Sequence, residues 1–206
     1  MFLTLFRAAT VSLLLGGTSP AAAGDLPSSI LRQLPSGYAV LTSTSSTVGD
    51  RRFQFVALRS RKELQSERYL TSAGVAPDRP LLIFELRPSG GYVPVGRNDK
   101  VIATADGAGL AGNGCDPFED QHIAIKGSYF TIENGVSCGA HWTDYITFRF
   151  EARVGGYVFD NERFESWKLN SGNDPKADAF IPDARRVWWA SKGKLVTFSK
   201  WRSPTS

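Results

Sequence analysis

Two copies of the tetrad GGYV, at Gly90 and Gly155, each stand between short apolar runs. A Gly-Gly pair can take the positive φ angles that tight hairpin turns demand, and the Tyr-Val that follows favours extended backbone. Each copy therefore predicts strand, turn, strand. Ser36-Gly37-Tyr38 and Gly127-Ser128-Tyr129 repeat the glycine-before-aromatic order. Four such strand starts constrain the chain to repeated antiparallel hairpins, at intervals too unequal for a strict repeat.

The runs between these turns fit strands better than helices. In 53–58, Phe53, Phe55 and Ala57 fall on one face and Gln54, Val56 and Leu58 on the other, the period of extended chain. Further strands are predicted at 38–41, 81–86, 92–95, 123–125, 146–150 and 157–159. Two closing strands are expected at 185–189 and 195–198. The Ser/Thr-rich 42–47 segment suits an edge strand or a loop. One or two helical turns are expected within 26–34, before Pro35-Ser36-Gly37, and a short helix around 62–70. Aromatic residues make up 12% of the chain and methionine occurs once, which also favours strands. With 206 residues, 42% of them hydrophobic, one core can be filled. Ile123, Ile125, Phe130, Ile132, Phe148 and Phe150 are its predicted members. The expected fold is mainly β, with antiparallel hairpins in a propeller-like or sandwich arrangement, little helix and one disulfide.

The N-terminus has the layout of an export signal. A short basic start, an apolar run through 11–15 and Ala21-Ala22-Ala23 before Gly24 match a secretory leader with a small-residue cleavage site. Residues 1–23 are expected to be removed, leaving 24–206 as a single β-rich domain, periplasmic or secreted. No run approaches the roughly 20 apolar residues of a membrane span.

Export sets the reading of Cys115 and Cys138, the two cysteines of the chain. In an oxidising compartment they are expected to form one bridge. A zinc site built from Cys115, His122, Cys138 and His141 is the rival, although C-x6-H-x15-C-x2-H matches no common finger or ribbon. The same stretch holds Asp116, Glu119 and Asp120, and with His141 these acids form the candidate interaction surface.

Charge and motifs narrow the function. A net charge of +4 with scattered basic residues gives no nucleic-acid footprint. The charged run 59–79 suits a solvated loop or a basic contact surface. Arg185-Arg186-Val187-Trp188-Trp189 fits a packed tail with its cationic heads in water, or a single-strand binding platform. The glycine-rich 107–114 loop lacks the Lys-Ser or Lys-Thr of a phosphate loop. His141 beside Asp144, or a pair among the acids near Cys115, could serve a glycan-directed hydrolase. No nucleophile elbow or metalloprotease helix accompanies them. No catalytic residue, metal or cofactor is assigned.

The segments GYAVL, GDRRFQFVALRS, RPLLIFELRPSGGY, GRNDKVI, the stretch from Cys115 to Phe150 and the late ESWKLN resemble small exported bacterial proteins related to FG-GAP-type β-propeller domains. The resemblance runs from about Gly37 to Leu169. It implies a non-enzymatic periplasmic domain, and some members act as immunity proteins that block wall-degrading effectors. Members carry a calcium loop of the form D-x-N-x-D-G-x-x-D. Here Gly49-Asp50-Arg51-Arg52 keeps one carboxylate and adds cations, so that loop is degenerate for a cation needing six or more oxygen ligands. A protein partner in the cell envelope is the implied ligand.

Overall fold

Nine antiparallel strands build two sheets, seen in a computed structural model that describes residues 26–64, 76–104, 116–137, 141–172 and 178–204. The expected leader, both cysteines, the 107–114 loop and much of 62–70 lie outside the described residues. In chain order the elements are α1 (Ser28–Leu31), β1 (Tyr38–Val48), β2 (Arg51–Ser60), α2 (Arg61–Leu64), β3 (Arg79–Leu86), β4 (Tyr92–Ile102), β5 (Ile123–Lys126), β6 (Tyr129–Val136), β7 (His141–Glu151), β8 (Gly156–Leu169) and β9 (Phe180–Trp189). Strands β1 to β4 form one meander and β5 to β9 the other.

The two sheets face each other across one apolar core, so the arrangement is a sandwich, not propeller-like. Phe53 and Phe55 of β2 and Leu81 and Ile83 of β3 meet Phe130 and Ile132 of β6, Ile146 and Phe148 of β7 and Tyr157 and Phe159 of β8. Phe130 sits at the centre, its ring 4.8 Å from Phe55, 5.0 Å from Phe148 and 5.0 Å from Tyr157. Burying each such side chain contributes roughly 1.5–3 kcal/mol before the cost of ordering it. Ile125 and Phe150 pack against this core while staying half-buried.

The other face of the four-stranded sheet is covered too. Val56, Leu58, Leu82 and Phe84 pack under Leu26 and Ile30, which explains why β2 and β3 are apolar on both faces. Helix α1 has no side-chain cap and is held by this packing, with the Gln33 amide donating to the Tyr92 carbonyl at 2.8 Å. The Ser/Thr-rich segment is part of β1, the edge of this sheet.

Glycine before an aromatic marks the starts of β1, β4, β6 and β8. The tightest turns fall elsewhere than expected. Two-residue turns join β1 to β2 at Gly49-Asp50 and β5 to β6 at Gly127-Ser128, with Gly49 and Gly127 at φ 63 and 58. The GGYV copies instead end longer loops, because pairing resumes at Leu86↔Tyr92 and Glu151↔Gly156. The Gly49-Asp50 segment, expected to be a degenerate calcium loop, is a hairpin turn. Beside it, Arg51 joins the two sheets by donating to Glu85 at 2.6 Å and to the Gly155 carbonyl at 3.0 Å.

The expected last strand at 195–198 is replaced by a single bridge, Val158↔Thr197, and a 3₁₀ turn (Phe198–Lys200). This segment closes the core with Phe198 and Trp201. The GRND segment receives it. A Cβ on Gly96 would stand 3.0 Å from the Phe198 ring, and the buried Asn98 amide donates to the carbonyls of Phe198 at 2.6 Å and Trp201 at 3.1 Å. β9 is an exposed edge strand, not a packed tail: Trp189 is 70% exposed.

Candidate functional site

β5 is short and pairs only with the first half of β6. The free edge of the second half is taken by the loop 116–122, where the Gly135 amide donates to the Pro117 carbonyl at 2.7 Å and the Glu133 amide to the His122 carbonyl at 3.3 Å. The loop is shaped by its own residues. Asp116 Oδ1 accepts the Phe118 amide at 2.9 Å, the local turn that aspartate favours, and Phe118 plugs into the core. Gln121 then takes a left-handed φ of 53 before β5 begins.

Between this loop and β6–β7 lies a cleft of about 490 Å³. Asp116, Glu119, Asp120 and Glu133 bring four carboxylates to it, His122 contributes an imidazole, and Trp142 and Tyr145 supply aromatic wall. Among the described residues no lysine or arginine lines it. Gly135 allows β6 to close on β7 beneath the cleft, since a Cβ there would stand 2.8 Å from the Trp142 carbonyl.

The acids differ in what they already do. Both oxygens of Asp116 accept from Arg79, at 2.5 and 2.8 Å. Arg79 also holds Glu63 and donates to the Ala103 carbonyl at 3.1 Å. Arg79 is 1% exposed. Burial works against its charge, but the hydrogen bonds it donates to Asp116 and Glu63 outweigh that, and its pKa is raised. The charged run 59–79 therefore does not end as a solvated or contact surface: its last arginine is a buried tie beneath the cleft. Glu133 meets His122 at 2.6 Å. Glu119 and Asp120 project into solvent.

The structure thus gathers three of the four expected interaction residues, Asp116, Glu119 and Asp120, and leaves out His141. The His141 ring lies 3.8 Å from that of Phe180 on β9. It cannot use Asp144 as an orienting carboxylate, because alternation along β7 puts the two on opposite faces of the sheet. His122, not His141, is the histidine of the cleft. Among the described residues no three His, Cys, Asp or Glu side chains are grouped to hold a metal. The Cys115–Cys138 bridge and the cysteine half of the zinc alternative concern residues outside those described. Glu133, Tyr145 and Trp142 carried no separate signal. They join the acids because β6 and β7 pair Glu133↔Tyr145 and Val136↔Trp142.

Fold and site together define a class: a two-sheet antiparallel β sandwich with an acid-lined cleft where a loop replaces an edge strand. No family model, curated protein or solved structure matches the chain.

Proposed function

We propose that this chain is an exported, non-enzymatic binding protein of the bacterial periplasm whose cleft receives a basic surface of a protein partner, and that it inhibits a cell-wall-degrading effector. The observation that carries the reading is the reversal of charge. A chain of net charge +4 lines its cleft with four carboxylates and, among the described residues, no lysine or arginine. Such a patch steers a cationic partner and fixes its orientation. Glu119 and Asp120 are free to contact it, while Arg79 holds the floor through Asp116. Engagement of Asp116 by Arg79 and of Glu133 by His122 favours binding over the hydrolase alternative, which needs two carboxyl groups free for acid and base roles. The leader-like N-terminus and the family resemblance supply the compartment and the kind of partner.

The test measures binding of the mature chain to lysozyme-like and amidase-type wall-degrading enzymes, together with their activity in its presence. A complex that weakens with salt, and that the double variant Glu119→Lys, Asp120→Lys abolishes, is expected. Absence of any complex from both this panel and periplasmic extract overturns the reading. Wall turnover by the protein alone, lost in Glu119→Gln, Asp120→Asn, would install the hydrolase instead.

A further inference from the structure

The inner face of the five-stranded sheet continues past the apolar core and changes character. β7 pairs Ile146↔Glu162 and Asp144↔Phe164 with β8, and β8 pairs Glu162↔Trp188 and Phe164↔Arg186 with β9. Two carboxylates, Asp144 and Glu162, therefore sit diagonally on one face among Trp142, Phe164 and Trp188. The Trp142 and Phe164 rings stack at 6.0 Å.

Neither acid is fully satisfied. Glu162 is 1% exposed, and its Oε2 has no hydrogen-bond partner; its Oε1 accepts from Ser203 at 3.0 Å. Asp144 Oδ1 is likewise buried and unpartnered. Among the described residues, the groups that face them from each packed element offer no counter-charge. Asn134 on β6 spends its amide on Val101 and Ala103. Arg186 on β9 is exposed and enters no ion pair among the described residues. Arg202, beside Ser203, turns back onto the Trp201 carbonyl at 2.6 Å.

Buried carboxylate oxygens without partners are costly, and a cation or a proton relieves that cost. The donors decide which cation. Two carboxylates and one hydroxyl fall short of the six or more oxygens that calcium requires. An ammonium group needs about three acceptors and is attracted to aromatic faces. We propose that Asp144 and Glu162 form a binding site for a primary ammonium group, carried by a lysine side chain or by a small amine, with Trp142, Phe164 and Trp188 around its alkyl stem. Asp144, the more accessible acid, is the point of entry. Burial and the neighbouring Glu162 push Asp144 up to about 7, so the pair retains a proton that the ammonium displaces into solvent.

The experiment titrates the full mature chain with n-butylammonium and, separately, with N-acetyllysine methylamide, following tryptophan side-chain NMR signals. Binding is expected to be about tenfold tighter near pH 8 than near pH 6, since the displaced proton is lost through about 7 while the amine stays charged. The tighter probe identifies the source as a small amine or a lysine. Asp144→Asn and Glu162→Gln, which keep shape, are each expected to weaken binding, with the backbone spectrum confirming the fold. Asp144→Asn removes its pH dependence, whereas Glu162→Gln only reduces it, because burial still raises Asp144. No binding of either probe at millimolar concentration, binding unchanged in Glu162→Gln, or the same spectral change with calcium alone would each overturn the assignment.

Discussion

Replacing Arg79 by methionine keeps the length of the stem and removes the guanidinium, so it isolates the charge. In the fold that guanidinium holds Glu63, whose side chain is 8% exposed, and Asp116, 25% exposed, and it satisfies the Ala103 carbonyl. Without it, α2, the end of β4 and the loop 116–122 lose their common tie, and two carboxylates are left without a counter-charge. Breaking a buried ion pair in this one-sided way costs about 3–5 kcal/mol. Asp116 reaches solvent, so the second pair does not double the loss. For a domain of this size about 3–5 kcal/mol lowers Tm by about 6–20 °C. Equilibrium urea unfolding followed by tryptophan fluorescence measures the change directly. The triple variant Arg79→Met, Glu63→Gln, Asp116→Asn supplies the control. Removing all three charges together avoids stranded carboxylates and is expected to recover a large part of the loss. Wild-type stability in Arg79→Met, or a triple variant no better than the single one, would refute the claim that stranded charge is what the substitution exposes.

Four further outcomes follow from particular contacts. Phe130→Ala, at the centre of the ring cluster, is expected to cost about 3–5 kcal/mol in urea unfolding. Gly135→Ala forces a Cβ against the Trp142 carbonyl and is expected to destabilise by about 1–3 kcal/mol, with the amide shifts of 133–136 and 142–145 moving most. Because Asp144 is pushed up to about 7 in the fold, the native state keeps a proton that the unfolded chain loses near pH 4. Stability should fall as pH rises from about 4 to about 7, and Asp144→Asn should flatten that part of the profile. Intact mass without reductant is expected to show Cys115 joined to Cys138, and reduction to cost roughly 3 kcal/mol.

Strand alternation was legible wherever large apolar residues carried it. Phe53 and Phe55 went to one face of β2 and Val56 and Leu58 to the other, and the glycine-aromatic pairs marked four strand starts. The acids next to Cys115 also proved to share a cleft, because Phe118 among them is an anchor for the core. Arg79 was not legible. Inside a run of charges it looks solvated, and its burial depends on Glu63 and Asp116, 16 and 37 positions away. His141 and Asp144 invited pairing by proximity in sequence, yet an odd separation within one strand places them on opposite faces.

Glu162 was hidden for a different reason, and it shows how one backbone irregularity can create a site. Along β8 the inward residues begin as Tyr157 and Phe159, so simple alternation continues with Asn161, Arg163 and Glu165 inward and Glu162 in solvent. The register instead slips between Thr147 and Phe148 of β7, where Phe148 faces Phe159 and Thr147 faces Asn161. That β-bulge absorbs Asp160 and reverses the faces of everything beyond it. Arg163 and Glu165 turn outward, where they pair with each other at 2.5 Å, and Glu162 and Phe164 turn in beside Asp144. A buried, half-satisfied carboxylate pair is thus made by one extra residue in a strand whose composition, NERFESW, looks wholly solvated. Such a pair is a standing cost to the fold, and a bound cation that neutralises it would remove that cost.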